Sequence, residues 1–343
     1  MKIKHLLLIV AMFAIAATAK AQTTGEKIKA FADEHLRLSG YLQGGFRWDE
    51  NSDPATSFYL HRARLSLTGD AAKDKVDYRL QVDMAGSPKI CDLYVRYKPL
   101  KGLNVQIGQF KLPFSYENEN CGPTTVEFIE YSYLTMLLAR NDGTYDGVSG
   151  ATGRDIGIQL YGGFIERDGY SIINYNVGVF NGAGINVKKD NNSSKDVIAR
   201  LLIKPFKGFG VTASYMYAES NYNDVRYMKS PRWAAGVLYD SRYWVARAEY
   251  AEANFGGTKV RTLYALGGYN FERPWSIYAR YEFLNEASIS NNERIMLGAA
   301  YKPFKFLRMQ LNLSYLTSKA YVPTLDTHYK SSLGANFLIT AMF

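Results

Sequence analysis

Arginine recurs in this chain at alternate positions along segments that are otherwise half apolar. Arg62 and Arg64 stand two apart, as do Arg96 and Lys98, and Arg79, Arg200, Arg247, Arg280, Arg294 and Arg308 occupy the same polar phase of their segments. Guanidinium groups ranged along one wall attract anions, and rings of Arg or Lys in a pore favour anion passage. Acids of the same parity are fewer: Asp77, Asp83, Asp92, Glu249 and Glu282. Glu249 and Glu282 lie two residues from Arg247 and Arg280, so the competing reading is that these arginines pair locally and brace a wall.

Other chemistry lacks its parts. A covalent hydrolase needs a nucleophile, a base and a group that orients the base. After residue 21 the histidines are His35, His61 and His328, and no nucleophile motif surrounds them. We therefore expect no catalytic residues and no enzyme. No His or Cys spacing suits a metal, and the glycines do not follow a βαβ pattern, so neither metal nor other cofactor is expected. The balance of 41 basic and 32 acidic residues is +9, too weak to imply nucleic acid without a basic cluster.

The elements that must carry these side chains alternate with period two. In Val76–Met84, Val76, Tyr78, Leu80, Val82 and Met84 share one face; Asp77, Arg79, Gln81 and Asp83 share the other. Leu307–Tyr315 and Ser332–Phe343 repeat the pattern. Successive strand side chains point to opposite faces, so each segment has an apolar and a polar side. Sixteen such segments are predicted, over 38–49, 57–69, 75–84, 90–98, 103–110, 154–163, 170–180, 196–204, 209–218, 231–239, 242–251, 259–269, 274–284, 293–302, 306–317 and 331–343. Most are long enough to cross a bilayer when tilted. The connections alternate between short turns and longer polar loops, with 85–89 breaking the rule. That layout, with 27 Tyr, 18 Phe and 29 Gly, predicts an all-β transmembrane protein, an antiparallel up-and-down barrel of about sixteen strands. Its apolar face meets lipid, and its polar face lines the lumen.

Three short connections carry nearly the same words: YKPLKGL at Tyr97–Leu103, IKPFKGF at Ile203–Phe209 and YKPFKFL at Tyr301–Leu307. Proline presets a turn and cannot donate to a ladder. All three should lie at one rim, with the long connection 111–153 leaving from the other. At the front, Lys2 and Lys4 precede an apolar run to Ala17 and a small-residue cleavage site at Ala19–Ala21. Residues 1–21 are expected to be a signal peptide, 22–37 an N-terminal segment, and 38–343 the barrel.

The loop 111–153 is too long for a plain turn. Its stretch Thr125–Arg140 can form a short helix, and Glu117, Glu119, Glu127, Glu130, Asp142 and Asp146 outnumber Lys111 and Arg140. Folded into the lumen, it would set acids against an arginine wall. Cys91 and Cys121 are within conceivable reach of one another, so a disulfide tethering the loop and two free thiols are both open.

FYLHRARLSLTGD (Phe58–Asp70), VDYRLQVDMAG (Val76–Gly86), LNVQIGQFKLPFSYENE (Leu103–Glu119) and VEFIEYSYL (Val126–Leu134) resemble the phosphate-selective porin O and P family. The run Gly108–Phe114 and the Phe-x-Glu at Phe128–Glu130 are its most specific parts. The resemblance implies a sixteen-stranded Gram-negative outer-membrane pore, a homotrimer, passing small hydrophilic or anionic solutes passively. It also implies that the 111–153 loop narrows the channel, with Glu127, Glu130 and Arg140 at the constriction. Arg62 and Arg64 match the style of the family's arginine ladder, but the acidic loop departs from a basic constriction and leaves phosphate open. A barrel displaying its long loops, such as 181–195, as a surface adhesin is the alternative.

Overall fold

The computed structural model describes residues 36–343 except 73, 141–151, 191–192, 223–224, 273, 288–289 and 321–327. The expected signal peptide, the segment 22–35 and loop acids Asp142 and Asp146 lie outside the described residues.

Eighteen strands follow one another: β1 (Leu36–Asp49), β2 (Thr56–Ala72), β3 (Val76–Asp83), β4 (Lys89–Leu100), β5 (Leu103–Lys111), β6 (Arg154–Arg167), β7 (Tyr170–Phe180), β8 (Asp196–Ile203), β9 (Phe209–Tyr217), β10 (Glu219–Tyr222), β11 (Val225–Lys229), β12 (Arg232–Asp240), β13 (Trp244–Phe255), β14 (Thr258–Asn270), β15 (Trp275–Glu286), β16 (Ser290–Phe304), β17 (Leu307–Ala320) and β18 (His328–Met342). Sixteen close into one antiparallel barrel, β1 pairing with both β2 and β18. β10 and β11 form a separate hairpin inside the connection from β9 to β12. All sixteen expected segments are present, most with ends moved by a few residues.

The outer surface explains the closure. Phe58, Leu60, Leu93, Ile107, Val177, Val211, Val237, Ile295, Leu297 and Leu313 are all exposed there, Phe58 by 85%. Such a surface is untenable in water and ordinary against lipid. In lipid every backbone N–H and C=O must be paired within the protein, and a closed barrel leaves no open edge.

The three Lys-Pro turns share one rim, joining β4 to β5, β8 to β9 and β16 to β17. In each, the lysine N–H makes the last bond to the neighbouring hairpin before proline ends the ladder: Lys98 N to Lys75 O at 2.8 Å, Lys204 N to Ile172 O at 2.7 Å, Lys302 N to Pro274 O at 2.9 Å. Aromatic rings collect beside them. Phe206 stacks on Phe209, Phe304 on Phe306, and Trp275 packs on Tyr301. The loop after β5 starts from the opposite rim.

Of the register shifts in the barrel, three lie at the turn rim and two reset the parity along the wall. The pairing of β1 with β2 slips at His61, and that of β3 with β4 slips at Cys91. A bulge inserts one residue and exchanges the faces of everything beyond it. His61, read by strict alternation as outward, therefore belongs with the lumen, where its ring meets that of Tyr59 edge-on at 5.6 Å. Tyr59 turns inward for the same reason and donates its hydroxyl to Asn336 Oδ1.

Candidate functional site

The connection between β5 and β6 enters the lumen and fills part of it. It contains a one-turn helix α1 (Tyr116–Asn120) and a π-helical turn at Leu134–Ala139. Phe114, Leu134, Leu138 and Ala139 are buried against inward apolar residues of β7 to β9 and β12 to β15, among them Ile198, Met216, Val245, Ala251, Val260 and Leu266. Lipid covers the outer faces of these strands, and the loop covers the apolar residues of their inner faces.

Polar groups of the wall hold the loop backbone. The Glu249 carboxylate on β13 accepts from Tyr116 N at 2.7 Å, Glu117 N at 3.2 Å, Ser115 Oγ at 3.0 Å and Tyr264 Oη at 2.7 Å. Glu282 on β15 accepts from Tyr133 N at 2.8 Å, and Asn312 on β17 from Ile129 N at 2.8 Å. Donors on the wall meet loop carbonyls: Arg280 to Glu130, Arg232 to Leu138, Arg308 to Thr124, and Gln310 to Val126 and Glu127. A buried backbone without secondary structure needs such partners, and here side chains replace the missing ladder. Phe128, fully buried, lies on the Arg280 guanidinium at 4.7 Å and over Gly298, where a Cβ would come within 3.0 Å of its ring.

Among the described residues, two cavities lie beside the loop, both bordered by β2 to β4. One, of about 600 Å³, lies toward the loop rim and is lined by Arg62, Arg64, Lys89, Arg140 and Arg294 against Asp83, Glu130 and Glu286. The other, of about 400 Å³, lies toward the turn rim and is lined by Arg64, Arg79, Arg96, Lys111 and Arg154 against Asp92 and Glu119. Arg64 lines both, so the two cavities adjoin at it.

All eight arginines expected to line a pore, Arg62, Arg64, Arg79, Arg96, Arg200, Arg247, Arg280 and Arg308, turn inward, but they divide into two sets. Arg64 pairs with Asp83 at 2.9 Å, Arg79 with Asp92 at 3.2 Å, Arg96 with Asp77 at 2.8 Å, and Arg280 with Glu282 at 3.2 Å. Arg247 bonds both Glu127 and Asp240 at 2.9 Å. These brace the wall. Arg62, Arg200 and Arg308 have neutral partners instead: Gln43 Oε1, Asn120 Oδ1 and the Thr124 carbonyl. Among the described residues, none of the three has a carboxylate within ion-pair distance.

The loop's Glu127 and Glu130 reach Arg247 and Arg294, at 2.9 and 2.6 Å. The acids expected to face an arginine wall across open space are thus in direct contact with it. Arg140, the loop's own cation, bonds Asn118 Oδ1 and lies 3.6 Å over the Tyr131 ring. Arg154, which parity at a strand end did not single out, shares Asp92 with Arg79 at 2.6 Å.

Of the two readings left open for the cysteines, the structure holds the free thiols. Cys91 and Cys121 are both free and buried. Cys121 Sγ accepts from Arg247 Nη1 at 3.3 Å on β13, whereas Cys91 occupies the bulge on β4. Burial pushes the Cys121 thiol up, so it stays protonated.

A family model described as phosphate-selective porin O and P matches residues 40–325. No curated protein matches the chain in sequence. Among solved structures, the anion-selective porin from Comamonas acidovorans is similar with a TM-score of 0.71 at 14% identity, over 90% of this chain and 99% of that one. The outer-membrane channel DcaP of Acinetobacter baumannii gives 0.61 at 15%, over 90% and 97%. The trimer form of OmpT, an outer membrane protein of Vibrio cholerae, gives 0.63 at 11%, over 90% and 99%.

Proposed function

This chain belongs to the phosphate-selective porin O and P family, and we propose that it is a passive, anion-preferring pore of the Gram-negative outer membrane. The observation that carries the preference is the excess of cations over carboxylates along the open side of the lumen. Arg79 and Arg154 share the single carboxylate of Asp92, and Arg62 has no carboxylate partner among the described residues, whereas Arg64 and Arg96 are paired with Asp83 and Asp77. A low-dielectric wall strengthens such an imbalance and raises local anion concentration. The loop, laced to β12–β17, reduces the bore to the space beside β1–β6, so permeating solutes pass Arg62, Arg64, Arg79 and Arg96 at close range. The ion pairs reduce the net field, which supports a moderate preference over strict selectivity.

The same reading puts the Lys-Pro turns at the periplasmic rim and the long loops outside. Export by a cleaved signal peptide and assembly as a homotrimer complete it. Single-channel recording in planar bilayers tests it, with reversal potentials in asymmetric KCl. A chloride-preferring reversal potential is expected. Absence of conductance overturns the pore, and a potassium-preferring potential overturns the anion preference alone. Block of chloride current by inorganic phosphate reads whether the family's name applies to this member.

A further inference from the structure

Resting on the channel reading above, we propose that the loop-rim cavity is a binding subsite for amphiphilic organic anions, a carboxylate carried on an apolar body, in preference to inorganic oxyanions. The two cavities differ in what surrounds their cations. The turn-rim cavity is faced by amides and phenols, including Gln81, Gln106, Gln159 and Tyr161, which suit a hydrated ion. The loop-rim cavity has a second wall of Ile129, Met136, Leu137 and Leu284.

Met136 is 36% exposed there, although neighbouring loop residues Leu134 and Leu138 are buried in the core cluster. A thioether and aliphatic side chains facing a water-filled space gain free energy when an apolar ligand covers them. Opposite stand Arg62 and Arg140, which among the described residues have no carboxylate partner and bond only neutral oxygens, at 2.9 and 3.2 Å. Both can still offer N–H groups to a carboxylate.

The second, independent sign is His61. Its Nε2 is buried beside this cavity without a hydrogen-bond partner among the described residues. Buried polar atoms are normally satisfied, and a ligand's polar atom would complete this one. A volume of about 600 Å³ suits a small organic solute. An inorganic oxyanion would use the arginines and leave the apolar wall wet.

The probes are acetate, hexanoate, benzoate and inorganic phosphate, added from the loop side while chloride current is recorded. Hexanoate and benzoate should reach half-block at concentrations at least about tenfold below acetate, and below phosphate. Met136→Asn should shrink the ratio of benzoate to acetate block several-fold, and Arg62→Gln should weaken block by both. Equal half-block by acetate and benzoate, or a ratio unchanged by Met136→Asn, overturns the subsite. Titration calorimetry on the detergent-solubilised protein separates the two readings. Benzoate bound more tightly than acetate by a protein that conducts no ions upholds the subsite and refutes the channel. Equal affinities refute the subsite whatever the conductance.

Discussion

Glu249 is the side chain whose loss should most directly free the constriction. Its Oε1 accepts from Tyr116 N, and its Oε2 from Ser115 Oγ, Glu117 N and Tyr264 Oη. A hydrogen bond to a charged partner contributes about 1.5–3 kcal/mol, and an orphaned buried donor costs about 1–3 kcal/mol. In Glu249→Gln one oxygen survives to serve the three-donor side, while the new NH₂ faces Tyr116 N. The expected loss is about 1–3 kcal/mol. Glu249→Ala removes all four bonds, and water entering the lumen recovers part of them, leaving a loss of about 3–5 kcal/mol. At about 1.4 kcal/mol per tenfold, the released loop end should be populated roughly 100- to 4,000-fold more often in the alanine variant, and roughly 5- to 100-fold more in the glutamine variant. Single-channel records should show higher open-channel noise and brief high-conductance excursions, graded as wild type, Gln, Ala. Limited trypsin digestion should cut at Arg140 in the same order. An alanine variant with native conductance, native noise and an uncut loop would refute the claim that this carboxylate anchors the constriction.

The two sets of arginines should answer mutation differently. Arg62→Ala removes a cation with no carboxylate partner and should move the reversal potential toward neutrality. Arg64→Ala also exposes Asp83 and should move it further, whereas Arg64→Ala with Asp83→Ala should return it close to wild type; equal shifts in all three would refute the division. Cys91 and Cys121 should resist maleimide in the folded barrel and react after denaturation, with no mobility change on reduction; fast labelling of the native protein is the contrary result. Gly108 has φ +130°, and a Cβ there would lie 2.2 Å from Leu93 O, so Gly108→Ala should cost about 1–3 kcal/mol and lower the urea midpoint of the heat-modifiable band. Gly267→Ala, with nothing within 4 Å of its Cβ, is the control. Burial raises the pKa of the Glu119 carboxyl on the loop. It should therefore take up its proton on mild acidification before exposed carboxylates do, removing a negative charge from the turn-rim cavity. Anion preference should rise as pH falls, and Glu119→Gln should flatten that rise.

The strands were legible because their signal is local. Period two runs through most of the sixteen barrel segments, and the rim assignment of the Lys-Pro turns follows from the alternation of short and long connections. Parity assigned inward side chains correctly until a bulge intervened. Nothing in the letters at His61 or Cys91 announces an inserted residue, since a bulge is a property of two strands and their register. The roles of the arginines were less legible for a similar reason. Arg64 and Arg62 look alike in sequence, and only the cross-strand neighbour Asp83 separates a brace from an open cation.

The loop's docking face was written in the sequence in a form that strict alternation hides. Asp196–Ile203 reads Val197, Ile198, Leu201, Leu202, with large apolar residues on both parities. A strand between lipid and open water has no use for Ile198 and Leu202, which are buried, while Val197 and Leu201 face outward. An apolar inner face therefore requires an apolar cover inside the barrel. Phe114, Leu134, Leu138 and Ala139 are where the long loop supplies it. On the function proposed above, the pore lies where the loop is not docked. Inner faces that stay polar, on β1 to β6, are the ones the loop leaves to solvent. Arg62, Arg64, Arg79, Arg96 and Arg154 lie on those faces, whereas Arg200, Arg247, Arg280 and Arg308 sit where the loop docks. Substituting Ile198 by Ser should therefore loosen the loop and enlarge conductance without altering which arginines face the pore; an unchanged conductance would mean that the Glu249, Glu282 and Asn312 anchors suffice without the apolar seat.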